Sequence, residues 1–151
     1  MNKKNPSAVT TDKRIRDAGK SKNESAELQE LRPGQSVELL KELHILTRDG
    51  RLNQDSRRKL KQVYHLFNFI EPLLTELSAQ GGGPTLADHG AGKSYLGFIL
   101  YDLYFKALGH GRIYGVETRA ELVEKSRVLA QRLHFEPVSY THLRAHETPE
   151  H

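Results

Sequence analysis

Apolar positions in the middle of the chain recur every three or four residues. Leu60, Val63, Phe67, Ile70, Leu74 and Leu77 form one stripe, which predicts an amphipathic helix from about Asp55 to Ala79. Pro72 removes a backbone donor inside it and is expected to kink it. Tyr64, Phe67 and Phe69 fall at the same helical spacing and are expected in the core rather than as stacking platforms. Upstream, Val37, Leu39, Leu40, Leu43 and Leu46 predict a shorter helix that ends near Asp49-Gly50. Downstream of Gly81-Gly82-Gly83-Pro84 the pattern changes to strand, helix, strand, helix. Thr85 to Asp88 is a short strand, followed by the turn His89-Gly90-Ala91-Gly92. A helix then shows Leu96, Ile99, Leu100, Leu103 and Ala107 on one face and stops at Gly109. Arg112 to Val116 is the second strand, and Thr118 with Glu121 has the spacing of a capping box for the last helix. That helix carries Leu122, Ser126, Leu129 and Leu133 on its apolar face. Strand, crossover helix and parallel strand make an α/β unit.

The expected organisation is a disordered leader over 1–34, a helical N-terminal extension over 35–80 and a truncated α/β domain over 84–136. The leader is rich in Lys, Asn, Ser and acidic residues and too poor in apolar groups to offset ordering entropy. Hydrophobic residues make up 36% of the 151 and charged residues 28%, and no window approaches the length of a membrane span. The polar start lacks the apolar core of a secretory signal. There is no cysteine, which excludes disulfides and thiolate metal sites and fits a cytoplasmic protein. The net charge of +4 is compatible with an RNA partner but does not require one. Arg57, Arg58, Lys59 and Lys61 are expected to be a solvated face, while His44, His65, His110 and His134 lack ligand spacing.

The chemistry concentrates at Asp88-x-Gly90-x-Gly92, between a strand and a helix. Glycines there let a backbone approach a ligand, and a helix start offers unpaired N–H groups. Glu117 closes the next strand, where a carboxylate can accept hydrogen bonds from ribose hydroxyls. Its distance from the turn exceeds the usual ~20 residues because the crossover helix is long.

Asp88-His89-Gly90-Ala91-Gly92-Lys93-Ser94 and Gly115-Val116-Glu117 resemble the first and second motifs of class I S-adenosylmethionine (SAM)-dependent methyltransferases. The stretch from about Asp55 to Phe135, with Arg58 to Val63 as its leader, is similar to a bacterial methyltransferase-domain family. The resemblance implies a partial Rossmann-like sheet of two parallel strands, SAM as cofactor and direct methyl transfer to an unidentified acceptor, RNA or protein. It implies that Gly90, Ala91 and Gly92 line the methionine part of SAM, that Asp88 helps hold its amino group, and that Glu117 binds the ribose. His89 departs from the motif, where an apolar residue is usual, and Ser94 stands where a third glycine is common. No catalytic residue is named, because acceptor-facing residues follow later strands.

Ala87-x-x-x-x-Gly92-Lys93-Ser94 also satisfies a permissive phosphate-loop pattern, with Lys93 on phosphates and Ser94 on Mg²⁺. An NTPase is therefore the alternative, and a non-catalytic α/β module the plainest one. Only the methyltransferase reading accounts for Asp88 and Glu117 together.

Val138 to Thr148 reads letter for letter as the translation of a common transposase-based sequencing adapter. Residues 137–151 are therefore expected to be a foreign tail without packing partners. On that expectation the spacing of His142, His146 and Glu147 is no metal site.

Overall fold

The computed structural model describes residues 29–91 and 95–143. A short helix α1 (Val37–Glu42) precedes a long helix α2 (Gln54–Ala79). Three parallel strands follow, β1 (Thr85–His89), β2 (Arg112–Glu117) and β3 (Val138–His142), hydrogen-bonded in that order. Helix α3, over 96–108, joins β1 to β2, and α4 (Ala120–Leu133) joins β2 to β3. The expected α/β class and the order of elements as far as α4 are those observed.

Side-chain oxygens start the first two helices. Ser36 Oγ accepts the Leu39 N–H at 3.1 Å, and Asn53 Oδ1 accepts the Ser56 N–H at 2.8 Å. Helix α1 is shorter than its apolar pattern, because Leu43 to Leu46 leave helical geometry at His44, whose φ is 55°. Leu40, Ile45, Leu46 and Leu52 are nevertheless buried there, against Leu60 of α2. Helix α2 runs unbroken through Pro72 and buries Ser56, Leu60, Phe67 and Leu74. Phe69 and Leu77, expected inside, lie 68% and 47% exposed. They sit off the buried stripe, and among the described residues no element covers that side.

Within α3 a π turn over Tyr101–Phe105 separates two α-helical pieces, Leu96–Leu100 and Lys106–Leu108. Gly97, Phe98, Leu100, Asp102 and Phe105 are its buried residues, and Ala107 is exposed. The expected face was out of phase because this helix is apolar nearly all round and packs on two sides. Gly97 faces the sheet: a Cβ there would lie 3.0 Å from Ile113 Cγ2, so glycine allows the close approach.

Alternation along the strands produces one covered and one bare face. Ile113, Gly115 and Glu117 of β2 point into the helical layer together with Val138 and Tyr140 of β3. Thr85, Ala87, His89, Tyr114, Ser139 and Thr141 lie on the opposite, exposed face. His89, the departure from the motif, falls on this bare side, and β1 continues through it.

Two further sequence expectations need correction. The sheet has three strands, not two, and the third lies in the supposed foreign tail. Val138 and Tyr140 are 4% and 5% exposed, so this segment has packing partners. Val-Ser-Tyr-Thr-His alternates apolar and polar positions with β-branched and aromatic residues, which suits a strand beside β2 after a crossover helix. The remainder of the tail, including His146 and Glu147, lies outside the described residues, as does most of the expected leader. The end of that leader is docked: the Arg32 guanidinium stands 4.6 Å from the Tyr64 ring centroid and 5.1 Å from that of Phe67.

The extension and the sheet share one core. Leu39, Phe67 and Leu74 belong to the same buried cluster as Phe98, Ile113, Val123 and Tyr140. A buried carboxylate reinforces the join. Asp102 of α3 accepts the Ser36 N–H on both oxygens, at 3.1 and 3.0 Å, and pairs with Lys106 Nζ at 2.6 Å. Lys106 also donates to the Gly34 carbonyl at 2.6 Å.

Candidate functional site

Parallel register decides which side chains meet. Asp88 of β1 is aligned with Gly115 of β2, and Gly115 with Tyr140 of β3. These three form one row on the helix-facing side, and Glu117 is the next inward position, aligned with His142. The row lies toward the carboxyl ends of the strands, where open parallel sheets bind ligands.

After His89 the chain turns at Gly90, whose φ of 74° lies in the left-handed region favoured by glycine. The N–H groups of Gly90 and Ala91 both donate to the Val116 carbonyl, at 2.8 and 3.2 Å. This strap pulls the β1 turn onto the tip of β2, so Asp88, Gly90, Ala91 and Glu117 come together. It also commits both N–H groups to the protein rather than to a ligand. Among the described residues nothing lies within 4 Å of a Cβ built on Gly90, so none of them closes its outer side. Ala91 is 1% exposed. Gly92, Lys93 and Ser94 lie outside the described residues, so neither the last glycine of the methyltransferase motif nor the phosphate-loop pair is located.

Asp88 is only half-buried, but its Oδ2 is sheltered and has no hydrogen-bond partner among the described residues. Desolvation pushes its carboxyl above the usual range, opposed only by the positive field of His89. A sheltered carboxylate oxygen without a donor is costly and suits a cationic or hydrogen-bonding guest.

Glu117 is 3% exposed. Its Oε1 accepts the Arg119 N–H at 3.1 Å and Nε at 2.7 Å, and Oε2 lies 3.3 Å from Arg119 Nη2. That clamp replaces the expected capping box. Arg119, not Thr118, is the N-cap of α4, and no side chain caps it. The Thr118 carbonyl instead accepts from His142 Nε2 at 2.8 Å, and the Glu117 carbonyl accepts the Leu143 N–H at 2.8 Å. The β3 tip is thereby fastened to the β2 tip, and His142 is engaged there.

Tyr140 is the site neighbour that sequence reasoning missed. Its ring lies across Gly115, where a Cβ would come within 2.5 Å of ring carbons, and it stacks on Phe98 with centroids 5.3 Å apart. Burial and the nearby Asp88 carboxylate push its hydroxyl well above the ordinary phenol range. The alternation of residues 138–142 was the signal available for it.

A family model described as a methyltransferase domain matches residues 58–151, well over half of the chain. The chain belongs to that family. No curated protein and no solved structure matches it. The methyltransferase domain so defined begins inside α2 and takes in all three strands, including β3. Its membership favours methyl transfer over the phosphate-loop alternative. Among the described residues, no helix is long and apolar enough to cross a membrane.

Proposed function

We propose that this methyltransferase takes its methyl group from SAM, held at the tips of β1 and β2. The observation that carries the proposal is the convergence of Asp88, Gly90, Ala91 and Glu117 at one strand end of a methyltransferase-family chain. The sheltered Oδ2 of Asp88 fits the ammonium of the methionine moiety, which would supply the donor it lacks. Glu117 would face the ribose hydroxyls, with Arg119 orienting the carboxylate. The outer side of Gly90 would take the methionine chain, and Gly92 would line the same part of SAM. When bound, SAM supplies an electrophilic methyl on a sulfonium. The protein's part is to position it and to balance its charge.

The methyl acceptor is unidentified and RNA or protein would serve. The basic group at the start of α2 does not single out RNA, because Arg57 pairs with Glu30 while Arg58 and Lys59 pair with Asp55. With no cysteine and no membrane-crossing helix among the described residues, we assign the protein to the cytoplasm.

Titration calorimetry tests the cofactor. SAM should bind and Mg-ATP should not, and Glu117→Ala should weaken SAM by about 1–3 kcal/mol, the value of hydrogen bonds to a charged group. Mg-ATP binding that disappears in Lys93→Ala would overturn the proposal in favour of an NTPase.

A further inference from the structure

Arg119 stands at the start of α4, where the helix itself gains nothing from it. It is the N-cap of α4, and no side chain caps that turn. Ser, Thr, Asp and Asn are the usual N-caps, because their oxygens accept an orphan N–H, and a cation there opposes the helix macrodipole. The Arg119 side chain turns back instead onto Glu117, two residues earlier. We propose that Arg119 is a positioning residue for the cofactor: it holds the buried Glu117 ionised and in one orientation before SAM arrives. The inference rests on the reading of Glu117 as the ribose acceptor.

Three donors of one residue reach the same carboxylate. Oε1 takes the Arg119 N–H and Nε, while Oε2 carries the longest of the three contacts, to Nη2. The partners sit in unlike surroundings, since Glu117 is buried and the Arg119 side chain is half-exposed. A carboxylate taken out of water keeps its charge only where partners offset the desolvation. The planar guanidinium supplies that offset with a fixed direction, whereas an ammonium would supply charge without the fork. Oε1 is thereby the anchored oxygen, and Oε2 is the one whose long contact a ribose hydroxyl can replace. Ordering the carboxylate in advance removes that ordering cost from binding. The negative field of Glu121, in the first turn of α4, also acts on Arg119.

A double-mutant cycle read by titration calorimetry separates this role from a structural one. Arg119→Gln should weaken SAM about tenfold, the worth of one hydrogen bond to a charged group. The same substitution made in Glu117→Ala should change the affinity by less than about twofold, because no carboxylate remains to position. Arg119→Lys should recover part of the loss, restoring charge but not direction. In ligand-free protein, the Arg119 Nε–H should exchange slowly with solvent by NMR, and quickly in Glu117→Ala. Should Arg119→Gln misfold, Arg119→Ser, which restores a capping side chain, takes its place in the cycle. Equal losses in the two backgrounds, or no loss in either, overturn the proposal. A fast-exchanging Nε–H in the free protein overturns it as well, with no cofactor involved. Failure of Glu117→Ala to weaken SAM is a different result: it removes the ribose reading first, and this proposal with it.

Discussion

Replacing Tyr140 by Ala separates a packed from an unpacked end of the chain. If residues 137–151 were a foreign tail, truncating a side chain there would change stability by no more than the ~0.5 kcal/mol typical of surface alterations. The structure implies a larger loss. Tyr140 is 5% exposed, stacks on Phe98 at a 20° interplanar angle and fills the space above Gly115. A buried aromatic side chain removes about 150–250 Å² from water, worth about 4–6 kcal/mol at about 25 cal/mol per Å². Measured aromatic-to-Ala truncations cost about 3–5 kcal/mol, because the site relaxes only in part. The hydroxyl, bonded to the Ser126 side chain, adds about 1 kcal/mol, which Tyr140→Phe isolates. Urea unfolding followed by circular dichroism should give about 3–5 kcal/mol for Tyr140→Ala and about 1 kcal/mol for Tyr140→Phe, with unchanged m values. A loss of ~0.5 kcal/mol or less for Tyr140→Ala would refute the packed strand.

Asp102→Ala should cost about 1–3 kcal/mol in the same assay, since the Ser36 N–H loses both acceptors, whereas the part-exposed Lys106 keeps water and Gly34. Faster amide exchange confined to α1 should accompany it, and exchange unchanged there would refute the link. Asp88 predicts a pH trend: burial raises its carboxyl above its ordinary value, so the folded state holds this proton more tightly than the unfolded chain does. Its contribution is therefore most favourable below the usual carboxylate range and declines as pH rises through the raised value. Melting temperatures against pH should show that decline in ligand-free protein and lose it in Asp88→Asn; equal slopes in the two proteins would refute it.

What the sequence disclosed is what local chemistry determines. The strand ends at Asp88 and Glu117 were readable because a glycine turn after a strand and a carboxylate before a helix are contiguous signals. The long helix was readable because Leu60, Phe67 and Leu74 keep its period. The phase of α3 was not, since Phe98 and Leu103 lie on different sides and both contact the core. Nor was the exposure of Phe69, which depends on whether another surface exists to cover it. The capping pattern at Thr118 failed because Glu117 turns back to bond Arg119, a competitor the spacing rule ignores. Residues 138–142 were misjudged for a different reason: their match to an adapter concealed an alternation that any strand of that length would need.

The extension has a consequence for the site. The family match begins inside α2, yet Asp102, within the matched region, grips Ser36 outside it, and Leu39 lies in the core beneath the sheet. Helix α3 is thus held from two directions, by the sheet through Gly97 against Ile113 and by the extension through Asp102. Its first residue follows directly from Tyr95, whose φ of 48° is a strained value for a residue with a side chain. Such strain persists only where the surroundings over-determine it. Tyr95 and Leu43 both pack against the common core, so the extension contributes to holding Tyr95 at the start of α3. A change that loosens the extension should therefore be felt at Tyr95 and also along α4, whose Arg132 pairs with Glu38 and Glu42 of α1.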